Sequence, residues 1–183
     1  MGSSVAIVLI LGGEHIDLRP LKEEDFEDFC VWYNDEEITR HLGMKPLSRN
    51  KAKLQFNQLL NDQNGVYFGI IKKDEGRVIG YVFLTDILKS HRVAQEFGIV
   101  IGDRNLWGRG YGSEAIKLIL KYGFKHLKLH GIQLKVLDFN KRAQHLYRKL
   151  GFAEEGSQRE ARLVDGKWHN VLLMGMLEKE FEI

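Results

Sequence analysis

Three glycines alternate in one short segment of the chain, at Gly108, Gly110 and Gly112, between a predicted strand and a predicted helix. Glycine reaches positive φ angles and has no Cβ atom to obstruct a bound group. Consecutive N–H groups of such a segment point into one concavity at a helix N-terminus, which suits a phosphate or a pyrophosphate. Arg109 adds a positive charge. A tight turn without a ligand is the alternative, but one glycine would suffice for it, so the spacing favours a phosphate-binding turn.

Two well-known phosphate motifs do not account for this turn. A Walker loop requires Gly-Lys-Ser/Thr, which does not follow here. The residues from Gly110 to Ala115 fit the relaxed dinucleotide pattern G-x-G-x-x-A, and Asp138 ends the next predicted strand, where a ribose-binding acid would stand. However, the six residues 102–107 separate the predicted strand from Gly108, whereas a dinucleotide turn follows its strand directly. The turn also lies too late in the chain for the remaining parallel strands, so we reject a dinucleotide.

Other side chains with reactive chemistry are few. Cys30 is the single cysteine of the sequence, so an internal disulfide is excluded and we expect a cytoplasmic protein. Its aromatic, helix-like surroundings favour a small buried hydrophobe over a nucleophile. His126 and His130 have the i, i+4 spacing of metal ligands, but no Glu or third ligand accompanies them. We therefore predict no metal.

The bulk composition is that of one ordinary globular domain. The 183 residues are 44% hydrophobic and 28% charged, and 27 basic against 25 acidic side chains leave a formal net charge of +2. That balance is too even for a general nucleic-acid or membrane-surface binder, so neither partner is expected. The apolar run 5–11 is far shorter than the roughly 20 residues that span a bilayer. We interpret residues 1–13 as a leader or a first-strand extension, and residues 14–183 as a single domain.

The elements that must position the glycine turn follow from periodicity. Predicted strands cover 16–18, 67–72, 78–84, 93–101 and 132–136, and two more are joined by Asp165-Gly166, the last through 171–177. Predicted helices start within 20–25, cover 48–60 and 113–127, and run from the cap Asn140 to the stop Gly151. In helix 48–60, Leu54, Leu59 and Leu60 are expected among the buried positions. This order predicts an α+β fold, a mixed sheet with helices on its faces.

Four segments in this order resemble the GNAT acetyltransferase superfamily, and they are residues 96–101, 107–115, 140–143 and 146–152. Within the superfamily, the chain is similar to the branch of the ribosomal-protein N-terminal and spermidine N-acetyltransferases, which its opening 16–21 and ending 166–170 also fit. The resemblance implies the GNAT fold, with a mixed, mostly antiparallel central sheet that is flanked by helices and splayed between two central strands. It also implies acetyl-CoA as the acetyl donor.

The resemblance further implies roles for individual residues. Tyr147 matches the tyrosine that acts as general acid toward the departing thiolate. Glu96 lies on the central strand and would serve as the base, directly or through a water, or as a substrate anchor. Backbone groups of the splayed strand would hold the pantetheine arm and polarise the thioester carbonyl. The residues implied to bind the cofactor are Ile99, Val100, Ile101, Trp107, Gly108, Arg109, Gly110, Tyr111, Gly112, Ser113, Asn140 and Ala143.

One position departs from the superfamily's loop pattern. Where a Gln or an Arg usually stands, this chain has Trp107. Pyrophosphate binding would therefore depend more on backbone N–H groups and on Arg109 than on the side chain at 107.

The implied acceptor is a primary amine, either a small molecule or a peptide N-terminus, and polyamines and amino sugars stay open. It would attack the thioester directly, in a ternary complex. The N-terminal helices and the terminal hairpin would select it. Their many acids could attract a cation, or could simply favour helix starts and solvated faces. A homodimer is compatible with the resemblance. The alternative function is a non-catalytic acyl-CoA-binding sensor, which the presence of both Glu96 and Tyr147 disfavours.

Overall fold

The structure is a computed structural model and describes residues 9–182. Its strands are β1 (Leu11–Gly12), β2 (Ile16–Pro20), β3 (Val66–Lys72), β4 (Arg77–Leu88), β5 (Val93–Ile101), β6 (Gly131–Leu137), β7 (Ala153–Val164) and β8 (Lys167–Leu177). Its helices are α1 (Phe26–Asn34), α2 (Glu36–His41), α3 (Arg49–Asn61), α4 (Tyr111–Lys121) and α5 (Lys141–Lys149). The predicted leader partly lies outside the described residues, and its end forms β1.

The strands form one eight-stranded sheet in the order β1-β2-β3-β4-β5-β6-β8-β7. Neighbouring strands are antiparallel except β5 and β6, which run parallel. A parallel pair needs a crossover connection, and α4 supplies it. The fold class predicted from the sequence, α+β with a mixed, mostly antiparallel sheet, is therefore confirmed.

Each face of the sheet has its own hydrophobic core. On one face, α4 buries Ala115, Ile116 and Ile119 completely against strands from both halves of the sheet. On the other face, the N-terminal helices pack Phe29 and Phe56 against β4 and the end of β5. The second core covers only the β3–β5 half, because no helix of residues 9–182 joins it over β6–β8. The β6–β8 half of this face is contacted by α2 at one end, where Arg40 forms an ion pair with Asp165 and lies over the ring of Phe139.

The structure corrects two sequence predictions about the N-terminal helices. There are three helices rather than two, because Asp35 begins a further short helix by accepting hydrogen bonds from the N–H groups of Glu37 and Ile38, at 2.9 and 3.1 Å. In α3, Leu54 is not buried but 63% exposed. The buried face of α3 contains Ala52 and Phe56, one helical turn apart, and a residue midway between them points to the opposite side.

Helix α4 also differs from its predicted bounds. It begins at Tyr111 and ends at Lys121, and a wider turn continues to His126. The first turn of α4 is anchored to the N-terminal strands, because the carboxylate of Glu114 accepts a hydrogen bond from the N–H of His15 at 2.9 Å. The β1–β2 connection therefore fixes the part of α4 that follows the glycine turn.

The parallel pairing of β5 with β6 stops halfway along the two strands. Val93, Ala94 and Phe97 have partners on β6, and Phe97 with Leu134 is the last pair. Beyond it, β5 continues to Ile101 and β6 to Leu137 without pairing to each other. The splay that the resemblance implied is therefore present.

In the described part of the chain, no helix is both long and apolar enough to cross a membrane.

Candidate active site

The glycine turn has the backbone conformation that its sequence predicted. Gly108 and Gly110 have φ angles of +76° and +91°, and Gly110 is the N-cap of α4. A Cβ atom at either position would meet no protein atom within 4 Å, so the space above the turn is open. The first N–H groups of α4 have no partner within the helix, and the Glu114 N–H is the one that bonds back to the Gly110 carbonyl at 3.0 Å. The free groups of Tyr111, Gly112 and Ser113 thus meet the geometric needs of a phosphate.

Gly112 brings the turn into contact with two other parts of the site. A Cβ atom built there would lie 3.9 Å from the side chains of Ile99 and Ile101, and 4.0 Å from that of Leu146. The first belong to the splayed end of β5 and the last to α5, next to Tyr147. The missing side chain of Gly112 therefore allows the glycine turn, β5 and α5 to pack closely. It does not serve an unusual backbone conformation, because the φ angle of Gly112 is not positive.

The splay leaves alternate backbone groups of β5 without a strand partner. Gly102 donates its N–H to the Ile79 carbonyl of β4 at 2.8 Å. Because hydrogen-bonded pairs alternate along antiparallel strands, Val100 also bonds toward β4, whereas the groups of Ile99 and Ile101 point toward β6. Of the three residues implied to hold the pantetheine arm, Ile99 and Ile101 thus have backbone groups aimed into the splay, and Val100 does not.

Trp107 has a structural partner that the sequence did not indicate. Its indole N–H donates to the Ile101 carbonyl at 2.8 Å, so this carbonyl is already engaged. The guanidinium of Arg142, from α5, lies 3.6 Å from the centre of the indole ring. Burial lowers the pKa of Arg142 below its usual value. Trp107 therefore ties the end of β5 to the start of α5 across the splay.

We predict that Trp107→Phe lowers the free energy of unfolding by about 1 kcal/mol, because the phenyl ring keeps a face for Arg142 but leaves the Ile101 carbonyl without its donor. Denaturant unfolding measures the change. Trp168→Phe is the matched control, since Trp168 is 60% exposed and should change stability by less than ~0.5 kcal/mol. Equal effects of the two substitutions would contradict the role of the indole bond.

Asn140 caps α5 as predicted, since its side-chain oxygen accepts a hydrogen bond from the Ala143 N–H at 3.2 Å. Its amide nitrogen makes no hydrogen bond within residues 9–182 and is free for a ligand, so cofactor contact stays a prediction. The sequence did not reveal the role of Gln144, which is 2% exposed and donates to the Leu137 and Asp138 carbonyls, both at 2.9 Å. Gln144 therefore fixes the loop that presents Asn140.

Tyr147 is almost fully buried but its hydroxyl has no protein partner. The residue is 7% exposed and meets the ring of Phe97 edge-on, with 5.9 Å between ring centres. Within residues 9–182, every fully buried polar side-chain atom is hydrogen-bonded. The unpartnered hydroxyl must therefore reach accessible space. Burial raises the pKa of Tyr147 to about 12, against a smaller opposing effect of Arg142, so the phenol keeps its proton.

Glu96 lies on the opposite face of the sheet. It precedes Phe97 on β5 and pairs with Thr85 of β4. Its side chain is half-buried and forms no ion pair or hydrogen bond with any residue of the described chain. Because neighbouring residues of a strand point to opposite faces, Glu96 and Tyr147 flank the splay from its two sides.

The structure also places the remaining side chains that the sequence singled out. Arg109 is exposed beside the turn, without a protein partner among the described residues, and Ser113 is half-buried in the first turn of α4. His126 and His130 are both exposed. In residues 9–182, no three His, Cys, Asp or Glu side chains converge as a metal site would require.

Asp138, which matched the rejected ribose-binding position, serves a local bond instead. Its carboxylate accepts a hydrogen bond from the Asn170 N–H at 2.8 Å and lies 2.9 Å from Nδ1 of His169. Burial alone would raise the pKa of Asp138, but these two bonds outweigh it and keep the pKa below its usual value. Asp138 thus joins the end of β6 to the start of β8.

Comparison with known proteins adds to this geometry. Residues 15–153 match the family model described as an acetyltransferase (GNAT) domain. Spermidine N(1)-acetyltransferase of Escherichia coli K12 is 31% identical over 170 residues, which cover 91% of this chain and 88% of that protein. The uncharacterized N-acetyltransferase p20 of Bacillus licheniformis is 30% identical over 172 residues, covering 92% and 96%.

A solved structure agrees over nearly the same length. The crystal structure of spermidine N-acetyltransferase from Vibrio cholerae, in complex with CoA and spermine, superposes with a TM-score of 0.84 at 30% identity. The match covers 92% of this chain and 98% of that chain. Fold and sequence thus point to the same family.

Proposed function

Since this chain belongs to the acetyltransferase (GNAT) domain family and is an acetyl-CoA-dependent N-acetyltransferase, we propose that it transfers the acetyl group to a primary amine by direct attack in a ternary complex. The observation that carries the proposal is the pair of unengaged groups at the splay. The Tyr147 hydroxyl lies on one side and the Glu96 carboxylate on the other. An acetyl thioester seated between β5 and β6 would have an acid on its sulfur side and a base on its amine side.

The proposed chemistry divides among these groups. A primary amine, with a pKa of ~10.4 on an alkyl chain and ~8 at a peptide N-terminus, is mostly protonated at neutral pH, so Glu96 accepts a proton, directly or through a water, as the amine attacks. The C–N bond forms while negative charge develops on the carbonyl oxygen. Backbone N–H groups of Ile99 and Ile101, which face the splay, would stabilise that charge. When the C–S bond breaks, Tyr147 donates its proton to the sulfur.

The raised pKa of Tyr147 does not oppose this last step. Burial disfavours every anion in the same site, so it raises the pKa of the departing thiol as well as that of the phenol. The phenol also remains a hydrogen-bond donor until the sulfur carries charge. We therefore assign Tyr147 the role of general acid.

Direct attack, rather than an acetyl-cysteine, is supported by the position of Cys30. It lies in α1, half-buried, and lines a surface pocket with Val31, Leu47 and Arg49 among others. None of these residues belongs to the strands of the splay. The thiol is therefore poorly placed to receive an acetyl group from a donor held there.

Part of the acidic charge of the N-terminal helices is engaged within the protein and is not free to attract a cationic acceptor. Several of their acids are engaged locally: Asp25 binds Arg19, with two contacts of 2.7 Å, and Glu27 binds Arg49. Asp35 is the cap of α2. The two related proteins named for spermidine make polyamines one candidate class of acceptor, beside peptide N-termini and amino sugars.

We predict that Glu96→Gln reduces kcat/KM at neutral pH by roughly 10²-fold or more, since general-base help is lost. The deficit should shrink as the pH approaches the pKa of the acceptor amine, ~8 for a peptide N-terminus and ~10.4 for an alkylamine, where free amine becomes abundant. Rate profiles against pH measure this. Glu23→Gln, the same change at an exposed site, should leave the profile unaltered. A deficit confined to the KM of the amine at every pH would make Glu96 an anchor instead of a base.

Release of the free thiol from acetyl-CoA, measured against a panel of peptides, polyamines and amino sugars, tests the proposal. We expect turnover with at least one primary amine, and none with the corresponding tertiary amines. Binding of acetyl-CoA without turnover on any of them would favour the acyl-CoA-binding sensor.

A further inference from the structure

A cluster of hydrogen bonds centred on Asp62 lies next to the strand that carries Glu96. Oδ2 of Asp62, the C-cap residue of α3, accepts hydrogen bonds from the hydroxyls of Tyr67 on β3 and Thr85 on β4, both at 2.7 Å. Oδ1 of the same carboxylate accepts the N–H of Asn64 at 2.8 Å. Asp62 therefore joins the end of α3 to two neighbouring strands of the sheet.

Gly65 encloses this cluster on one side. A Cβ atom at Gly65 would collide with Oδ2 of Asp62 and would lie 3.0 Å from Oγ1 of Thr85, so a side chain there would displace the cluster. The Asn64 carbonyl accepts a hydrogen bond from the Ile87 N–H of β4 at 3.0 Å. Backbone contacts thus hold the loop 62–65 against β4 and fix the position of the Asp62 carboxylate.

The charge of Asp62 fixes the direction of its hydrogen bonds. Burial raises the pKa of Asp62, but its three hydrogen bonds outweigh this effect and keep the pKa below its usual value. A carboxylate only accepts hydrogen bonds, whereas a threonine hydroxyl has one proton and two lone pairs. The Thr85 proton is therefore directed at Asp62, and no donor among residues 9–182 occupies the lone pairs of its oxygen.

Thr85 lies directly opposite Glu96. The two residues are a cross-strand pair of β4 and β5, and the adjoining pair, Leu84 with Phe97, is buried in the core under α4. Because neighbouring residues of a strand point to opposite faces, Thr85 and Glu96 share the other face of the sheet. The Cβ atoms of such a pair are about 4.5–5.5 Å apart. The Thr85 oxygen and the Glu96 carboxylate therefore border one small space.

The neighbouring groups leave this space open to an outside donor. Tyr67 is on β3, so the proton of Thr85 points to the β3 side of β4 and its lone pairs are left for the β5 side. Glu96 as a carboxylate has no proton to give to the Thr85 oxygen. Toward the splay, the ring of Phe83 lies where a Cβ atom of Gly98 would be. An amine beside Glu96 thus meets two oxygen acceptors and one apolar wall.

Two acceptors match the two N–H bonds of a neutral primary amine. Its nitrogen has four tetrahedral directions, which are one carbon, two hydrogens and the lone pair that attacks the thioester. When Glu96 holds one N–H, directly or through a water, and Thr85 holds the other, the direction of the lone pair is fixed. Orienting the attacking atom in this way lowers the barrier of the reaction. A neutral secondary amine has a single N–H and cannot use both acceptors.

On the basis of the proposed function, we propose that the Thr85 oxygen is a second acceptor for the attacking nitrogen, and that Asp62 is the positioning residue that holds the Thr85 proton away from it. As the C–N bond forms, Glu96 takes one proton from the nitrogen. The N–H that Thr85 holds stays on the nitrogen and becomes the N–H of the product amide.

The test compares kcat/KM for a primary amine and for its N-methyl derivative, using the full chain and acetyl-CoA. The two pairs of probes are glycylglycinamide with sarcosylglycinamide, and butylamine with N-methylbutylamine. Thr85→Val should lower the preference for the primary amine by about tenfold, or ~1.4 kcal/mol, the effect of one hydrogen bond. The loss should fall on the primary amine, because the N-methyl derivative gives its one N–H to Glu96. Thr85→Ser keeps the hydroxyl and should keep the preference.

Tyr67→Phe separates this role from a structural one. It removes the other 2.7 Å hydrogen bond to the same oxygen of Asp62, on a strand that is further from Glu96. Thr85→Val and Tyr67→Phe should both lower the free energy of unfolding, but Tyr67→Phe should leave the preference for the primary amine unaltered. An equal loss of preference in the two variants, or no loss in Thr85→Val, would overturn the proposal.

Asp62→Asn tests the direction of the hydrogen bond to Thr85. The Asn64 N–H requires an oxygen acceptor, so the new amide should turn its NH₂ group toward Thr85 and donate to the Thr85 oxygen. The Thr85 proton would then be released toward the amine. The preference should fall as in Thr85→Val, with the KM for acetyl-CoA unaltered. A full preference in Asp62→Asn would contradict the positioning role.

A binding measurement separates the contact from the chemistry. In the coenzyme A complex, titration with the primary amine should shift the methyl resonance of Thr85, which Thr85→Ser identifies by its disappearance. If no amine were acetylated, the proposed function would fail, yet this shift would still support Thr85 as a contact of the amine. A Thr85 resonance that does not move at saturating amine would contradict the contact itself.

Discussion

Tyr147→Phe should reduce turnover by about 10²- to 10⁴-fold, the usual contribution of a general acid, and leave the affinity for acetyl-CoA nearly unchanged. The reason is that the Tyr147 hydroxyl has no hydrogen-bond partner in residues 9–182, although the residue is only 7% exposed. Removing it therefore breaks no internal hydrogen bond, and the phenyl ring keeps its edge-on contact with Phe97. Steady-state kinetics and calorimetric binding of acetyl-CoA measure the two quantities.

A matched control comes from the other buried tyrosines. Tyr33 and Tyr81 are hydrogen-bonded to each other between their hydroxyls, in the core under the N-terminal helices. Tyr33→Phe should therefore lower stability and leave turnover close to that of the unmodified protein. Full turnover in Tyr147→Phe would refute its assignment as the acid.

Gly110→Ala should raise the KM for acetyl-CoA by about tenfold or more, with a smaller effect on kcat. The φ angle of +91° is unfavourable for alanine, and relaxation of the backbone would turn the free N–H groups of Tyr111 and Gly112 away from a bound phosphate. The added methyl group meets no protein atom within 4 Å, so no clash within the protein contributes to the effect. Initial rates at varied acetyl-CoA concentration measure it.

Gly76→Ala distinguishes ligand binding from backbone strain. Gly76 has a φ angle of +65°, and its Cβ atom would also meet nothing within 4 Å, but it lies in the β3–β4 turn. Both substitutions should lower stability by about 1 kcal/mol, and only Gly110→Ala should change the KM. If both changed it equally, the turn at Gly110 would not be the phosphate site.

Much of the fold could be predicted from local patterns. The bounds of β5 agree with the sequence prediction, and the Asn140 cap and the Gly151 stop of α5 form as expected, with a φ angle of +98° at Gly151. Caps, stops and alternating strands are short-range features, so few tertiary contacts can override them. Gly108 and Gly110 were predictable for the same reason.

The features that could not be predicted depend on contacts between distant segments. No local sequence pattern predicts that Trp107 donates a hydrogen bond to the Ile101 carbonyl or that its ring contacts Arg142 of α5. Leu54 was misassigned because helix periodicity alone allows more than one buried face, and packing on α1 selects the face of Ala52 and Phe56. The irregular register between β5 and β6 depends on the partner strand, which the local sequence of β5 does not reveal.

The incomplete pairing between β5 and β6 has a consequence for motion. Strands β1–β5 and β6–β8 are each joined by antiparallel ladders, whereas the two groups share three pairs of residues on neighbouring strands, the last at Phe97. The pantetheine arm of a bound donor, lying in the splay between β5 and β6, would link the two groups of strands. We therefore expect the separation between the unpaired ends of β5 and β6 to fluctuate more in the free enzyme than in the complex with the donor. Departure of coenzyme A would then restore the looser state before each new cycle.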